Sequence, residues 1–515
     1  MSCSAYWTFS LEPGNHKESF LVRQLLASIL TCGLLLVACE SPQPTGSVAD
    51  PLKTPWEDRS IFENGLVSSE RSVLNELDGA SIYHIEFTIA DDLQHITGME
   101  EVRFTNNEEV ALGEVQFHLF PNLLGGEMTV SSVKVNDIDV SVLLDATNSV
   151  MRVPIQPALL PAQSVVLSME FSVTVPQTLG PNYGVLTYYE DVLTLAHAYP
   201  MIAVYDDEGW NIKPPAQIGD VTYADASFYI VRVTAPKNLT LVTSGSEISF
   251  SETDQIQVLV VASGPARDFY LAASPNYEEI YQTIGEVTVR SYASQGSRSG
   301  AQMALDVALR AIEDFSTHYA PYPYTEFDIV ATSTPALGME YPGIVAIASR
   351  IYAVDGNFGG TQANLLESVL AHEVGHQWFY NLVGDDQLDE PWLDESLTQF
   401  ATLQYYADEY GPGGGDGFRA SLEARWARVG NADIPIGLPV AEYDSAQYGS
   451  IVYGRGALFF VALRDAMGVD VFDRFLMDYT ETFSWEIATP EALQALAEKH
   501  CACELDAMFN EWVYP

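Results

Sequence analysis

The stretch AHEVGHQWFYNLVGDDQLDEPWLDES, residues 371–396, holds two histidines four positions apart, with a glutamate directly after the first. On a helix, positions i and i+4 share a face. The imidazoles of His372 and His376 are therefore predicted to meet at one point, with Glu373 one step round. Two such imidazoles are a metal-binding pair, and the neighbouring carboxylate is placed to take a proton from a water held there. Zinc takes about four ligands, and a catalytic site keeps one of those places for water. A third protein ligand is then required. Glu395 is the candidate, because eighteen residues separate it from His376. That is enough for one helix to end, a turn to form at GDDQLDEP and a second helix to return alongside the first. The pattern predicts one zinc ion per chain on His372, His376 and Glu395, with Glu373 as general base. The competing reading is a helix whose histidines only pack, and the correctly spaced third acid argues against it.

These groups need a rigid helical frame, and the chain supplies one. From about residue 300 the apolar period is helical: AQMALDVALRAIEDFSTHY repeats at steps of three and four. FDIVATST reads as a buried strand. ANLLESVLAHEVGHQWFYNLV, LDESLTQFATLQYYADEYG and GRGALFFVALRDAMG read as amphipathic helices, and GPGGGDG (411–417) as a loop. Upstream the period is two. YHIEFTI, EEVRFTN, EVQFHLF, SVVLSMEFSVTV, SFYIVRVTAP, LTLVTSG and IQVLVVASG are short runs parted by turn residues. The fold class is a multidomain α+β protein. A β-sandwich-like domain (76–274) precedes a mainly α-helical catalytic domain (275–515). His84, His95, His118 and His197 lie in or beside the β runs without ligand spacing and are read as structural.

The chain has 515 residues, 47% of them hydrophobic, so a buried interior is expected. It carries 70 acidic against 23 basic residues, a formal charge of −47. A phosphate backbone needs a basic surface, so nucleic acid is excluded as a partner. The run LLASILTCGLLLVAC (25–39) is shorter than a membrane span and has the length of a signal-peptide core. Its end, LVAC, is similar to a bacterial lipobox, which implies cleavage before Cys39 and lipid on that residue. Residues 1–38 are then a lipoprotein signal peptide. Residues 39–75, rich in Pro, Ser and Thr at their start, are a flexible tether. The expected location is extracytoplasmic and membrane-anchored, on the cell surface or facing the periplasm. Cys501 and Cys503 are read as two thiols too close together for an easy disulfide.

HEVGHQWF together with WLDES resembles the M1 family of gluzincin metallopeptidases. GMEYPG (338–343) is similar to the family's exopeptidase motif, and VYGRGALFF (452–460) to its segment around a catalytic tyrosine. AYPMIAVYDDEGW (198–210) looks like part of its N-terminal domain. The resemblance covers roughly residues 60–515. It implies a thermolysin-like catalytic domain, with the ligands and base as above and Tyr453 stabilising the oxyanion. It also implies that Glu340 binds the substrate's α-ammonium, and that the backbone at Gly338 and Met339 pairs with the peptide. Tyr341 stands where the family has Asn, and Arg455 where it has Lys. Tyr448 is the weaker candidate for the catalytic tyrosine. The β-domain offers no clear second residue for the substrate amine. About 120 residues follow Glu395, so the resemblance implies a form without the family's large C-terminal helical domain.

The expected function is a zinc-dependent aminopeptidase acting on peptide substrates. Two alternatives stay open here. One is a zinc hydrolase of the same chemistry without strict aminopeptidase specificity, whether an endopeptidase or an epoxide hydrolase. The other is a non-catalytic, peptide-binding surface lipoprotein.

Overall fold

The computed structural model describes residues 50–180, 182–355 and 359–515. The signal peptide, Cys39 and residues 40–49 lie outside the described residues. Each of the period-two runs forms a strand. Five of these runs and their neighbours build an eight-stranded sheet ordered Ser246–Glu252, Ile256–Ala266, Ser227–Pro236, Ile82–Ile89, His95–Thr105, Ser164–Thr174, Glu127–Val135 and Ile138–Asp139. Alternation gives the sheet one dry face. In Ser164–Thr174, Val165, Leu167, Met169, Phe171 and Val173 are buried, while Ser164, Glu170 and Thr174 are exposed. Two four-stranded sheets cover that face. Val115, Phe117, Met151 and Val153 of one, and Leu186, Leu193 and Leu271 of the other, share a core with it.

The last strand of these sheets ends at Ser274, and a five-stranded sheet starts at Tyr277. Its order is Tyr277–Ile284, Val287–Ser294, Glu326–Thr332, Ile344–Ala348, Gly338–Tyr341. Val287–Ser294 and Glu326–Thr332 are parallel neighbours. Parallel strands need a crossover, and helix α1, Arg298–His318, supplies it by burying Ala301, Ala304, Leu305, Ala308, Ile312 and Phe315. Gly338–Tyr341 is antiparallel to its neighbour and forms the sheet's edge. Helix α2, Gly359–Gly375, packs behind this sheet, and helix α3, Trp392–Tyr410, packs on α2. Gln377 fastens the edge strand to the end of α2. Its Nε2 donates to Tyr341 O (3.0 Å), and its Oε1 accepts from Gly343 N (2.9 Å).

Four expectations are corrected. Residues 50–75 are not a flexible tether. They form 3-10 turns that bury Phe62, Leu66, Val73 and Leu74 in the core shared with α1 and Phe228. They are also hydrogen-bonded to the helical half: Val67 N to Pro323 O, Thr325 N to Gly65 O, and Thr325 Oγ1 to Asn64 O. The early Pro and Thr residues conceal that apolar set. GPGGGDG is not a loop, because Pro412 opens the helix Pro412–Ala427. Its glycines let that helix lie against α3. A Cβ on Gly414 would stand 2.3 Å from Tyr406 O. The helix predicted through Val383 stops at Gly375, and a wider turn follows, with Asn381 N bonded to His376 O and Leu382 N to Gln377 O. Finally, Cys501 and Cys503 are joined in a disulfide. Ala502 takes a left-handed conformation (φ 50°) at the end of helix Pro490–Cys501, which brings the two Cα atoms to 5.2 Å.

Candidate active site

His372 stands in the last turn of α2, His376 directly after its end, and Glu395 in the first turn of α3. All three are buried. His372 Nε2 lies 3.0 Å from Glu395 Oε2, His376 Nε2 lies 3.5 Å from it, and the two Nε2 atoms are 3.2 Å apart. Bonds of about 2.0–2.2 Å in a tetrahedron put donors roughly 3.3 Å apart. The triangle therefore fits a zinc ion. The surroundings fit it too. His376 Nδ1 lies 3.0 Å from Phe379 O, so it carries the proton and leaves the Nε2 lone pair for a metal. His372 Nδ1 faces the amide of Gln399 at 3.3 Å, and Gln399 Oε1 is buried without a partner. Turning that amide lets its oxygen accept from Nδ1–H, which satisfies both groups.

The electrostatics are those of crowded carboxylates. Burial pushes Glu373 well above the usual carboxylate range, and Glu340 adds to it. Burial would raise Glu395, but its contacts to His372 and His376 outweigh that and hold it low. Burial lowers His372 to about 4. Burial alone would lower His376 as well, but the carboxylates of Glu340 and Glu395 outweigh it and raise it.

Glu373 has one carboxylate oxygen, Oε2, buried without a partner. Its other side touches the edge strand. A Cβ on Gly338 would fall 2.2 Å from Glu373 Oε1, so any larger residue there would push the Glu373 carboxylate aside. Tyr453 lies on a π-helical turn, Ile451–Gly456, where the helix widens. Its hydroxyl donates to Glu395 Oε1, and its ring is 5.8 Å from that of His372. Tyr448 packs edge-on against Tyr453 with its hydroxyl buried and unpartnered. Arg455 points away and donates to the carbonyls of Ile434, Glu511 and Trp512. Tyr341 is stacked on Tyr270, ring centroids 4.0 Å apart.

Glu340 is buried beside these groups and raised by burial. Gln387 Nε2 reaches it at 3.4 Å and Asp394 Oδ2 at 2.6 Å. Glu340 shares a small cavity with His197, Asp220, Met339, Tyr380 and Gln387. Sequence reasoning missed Asp220 and Gln387. Both lie in irregular stretches that read as surface, and only the fold shows that they are buried. His197, read as structural, is held by Asp268 (Nδ1 to Oδ2, 2.6 Å) yet lines the same cavity.

Residues 303–512 match the Peptidase family M1 domain. Aminopeptidase M1-A of Oryza sativa subsp. japonica is 27% identical over 252 residues, covering 46% of this chain and 28% of the relative. Aminopeptidase M1 of Arabidopsis thaliana is 24% identical over 421 residues, covering 75% of this chain and 46% of the relative. The aligned stretch thus spans less than half the length of either. An M1 zinc metallopeptidase from Deinococcus radiodurans shares the fold, with a TM-score of 0.63 at 19% identity over 88% of this chain and 95% of that one. A mutant of that enzyme bound to a Tyr-Ser-Ala substrate gives a TM-score of 0.62 at 19% identity over 88% and 95%. Residues 303–512 of this chain thus match the Peptidase family M1 domain, and the fold over most of the chain is that of an M1 zinc metallopeptidase.

Proposed function

We propose that this chain is a zinc-dependent aminopeptidase that hydrolyses the first peptide bond of peptides with a free N-terminus. The observation that carries the reading is the convergence of His372, His376 and Glu395 beside the unpartnered oxygen of Glu373, with buried Glu340 next to them. When bound, zinc lowers the pKa of a water to about 7 and polarises a carbonyl. Glu373 takes the proton from the attacking water and gives it to the leaving nitrogen. The Tyr453 hydroxyl, now on Glu395, turns to the oxygen that gains charge, a contact typically worth ~3 kcal/mol. Glu340 receives the substrate's ammonium. The edge strand at Gly338 and Met339 offers its backbone to the peptide, as sheet edges do. Because the ammonium is held one residue from the metal ligands, the first bond is the one presented.

We also propose that the chain is a lipoprotein held at a membrane surface outside the cytoplasm through Cys39. Among the described residues no helix is long and apolar enough to cross a membrane. Labelled fatty acid should appear on the wild type and vanish in Cys39→Ala, and an unlabelled wild type would replace the anchor with ordinary secretion.

The deciding test of activity is a set of aminoacyl amides, free and N-acetylated, with and without a chelator. Free amines should be cleaved, acetylated ones should not, and chelation should abolish turnover until zinc is restored. Equal cleavage of both kinds would keep the hydrolase and remove the aminopeptidase. No cleavage of either, with zinc present, would leave a binding protein.

A further inference from the structure

We propose that Asp314, His318 and Asp408 form a second divalent-metal site, of the zinc class, which clamps α1 to α3. Their ligand atoms all lie within 4.8 Å of one another. His318 Nε2 is 2.8 Å from Asp408 Oδ2 and 3.6 Å from Asp314 Oδ1. One imidazole and two carboxylates suit zinc or a neighbouring transition metal better than calcium or magnesium, which favour all-oxygen shells.

The arrangement repeats that of the active site. There, an i,i+4 pair at the end of α2 faces a carboxylate on α3, and Gln399, four residues from that carboxylate, faces the Nδ1 of His372. Here, an i,i+4 pair on α1 faces Asp408 on α3. Gln404, four residues from Asp408, faces the Nδ1 of His318 at 2.8 Å. The glutamine is buried and is fixed by the Tyr319 hydroxyl at 3.0 Å. Gln404 Oε1 accepts from that hydroxyl and its Nε2 faces Nδ1; turning the amide brings its oxygen to Nδ1–H, leaves the Tyr319 hydroxyl to accept from Nε2, and frees the Nε2 lone pair of His318 for a metal. α3 thus carries one carboxylate of each site near its two ends, roughly 20 Å apart at about 1.5 Å per residue.

A second observation separates this cluster from a plain ion pair. Asp314 Oδ2 is shut off from solvent and has no partner, so the carboxylate holds coordinating capacity that the protein leaves unused. Two carboxylates face one imidazole, so a cation there would neutralise the excess negative charge. His318 and Asp408 are partly exposed, so an ion can enter and keep waters in its remaining places.

The test uses the full chain. Zinc is titrated by equilibrium dialysis and calorimetry, and unfolding is followed with and without added zinc. The wild type should bind two equivalents. His318→Ala and Asp408→Asn should each bind one. Added zinc beyond the first equivalent should raise the unfolding temperature of the wild type alone. Asp408→Asn is near-isosteric at a half-exposed position, so it covers the case in which His318→Ala fails to fold. A single equivalent in the wild type would overturn the proposal and leave an Asp–His–Asp ion pair. So would two equivalents retained in Asp408→Asn.

Discussion

Glu373 and Glu340 are both buried carboxylates beside the same histidines, yet one substitution at each should give different losses. Glu373→Gln keeps the size of the side chain but cannot accept a proton. Zinc content should be unchanged while turnover falls by roughly 10²–10⁴-fold, the usual weight of a general base. Turnover within a few-fold of wild type would place the base elsewhere. Glu340→Ala removes a charge that would face the substrate's ammonium. Losing one partner of a buried pair typically costs ~2–5 kcal/mol, so kcat/KM for free-amine substrates should fall by roughly thirty-fold or more, at about 1.4 kcal/mol per tenfold. Steady-state rates on free and acetylated substrates check this. An equal loss on both would mean that Glu340 supports the fold and not the ammonium.

At the scale of elements, the contact to test is the one between the edge strand and the end of α2. Gln377 presents an amide to that strand as a neighbouring strand would, bonding Tyr341 O and Gly343 N. Gln377→Leu leaves two buried backbone groups unpaired, at about 1–3 kcal/mol each. It should lower stability in denaturant by roughly that sum and raise KM for free-amine substrates while zinc stays bound. Unchanged KM with lowered stability would confine Gln377 to packing. This bracket also shows what could be read in advance. The convergence of His372, His376 and Glu395 was legible because helical phase makes their spacing a statement about space. The β runs were legible because period two makes burial alternate. Gln377, Gln387 and Asp220 were not, since a buried amide or acid in irregular chain has no period to show it. The helix at Pro412 was hidden by glycines whose absent side chains serve close packing against α3. The disulfide was hidden because its closure depends on Ala502, a residue with no bias toward a left-handed turn.

For the whole molecule the dominant quantity is charge. The chain carries −47 in all, and several carboxylates are buried where they resist ionisation. Glu100 has both oxygens buried and unpartnered, and burial raises it well above the ordinary range. Burial raises Asp328 to about 8 against the nearby Arg290, and burial with Asp386 raises Glu390 to about 8. A folded-state pKa above the unfolded one means that the folded chain holds extra protons. The stability these groups contribute is full below the unfolded value, about 4, and is lost as pH rises through the folded values. The zinc-loaded protein should therefore unfold at lower denaturant concentration at pH ~8 than at pH ~5. Salt should narrow the gap by screening self-repulsion. Glu100→Gln should flatten the slope where Glu100 titrates, by up to about 1.4 kcal/mol per pH unit. A midpoint that rises with pH over this range would contradict the reading.

The segment 50–75 sets the order in which the molecule can be completed as it is made. Asn64 reaches its partner, Thr325, only across 261 residues of chain. Synthesis runs at about 5–20 residues per second, so the earliest part of the body waits on the order of 10–50 s for the strand that receives it. Through that interval Phe62, Leu66, Val73 and Leu74 have no finished core to enter. A nascent chain halted before Thr325 should therefore be cut by protease within this segment while its β-sheets already resist. One halted well beyond Thr325 should be protected there. The start of the body is thus the last piece of its β-rich half to be locked.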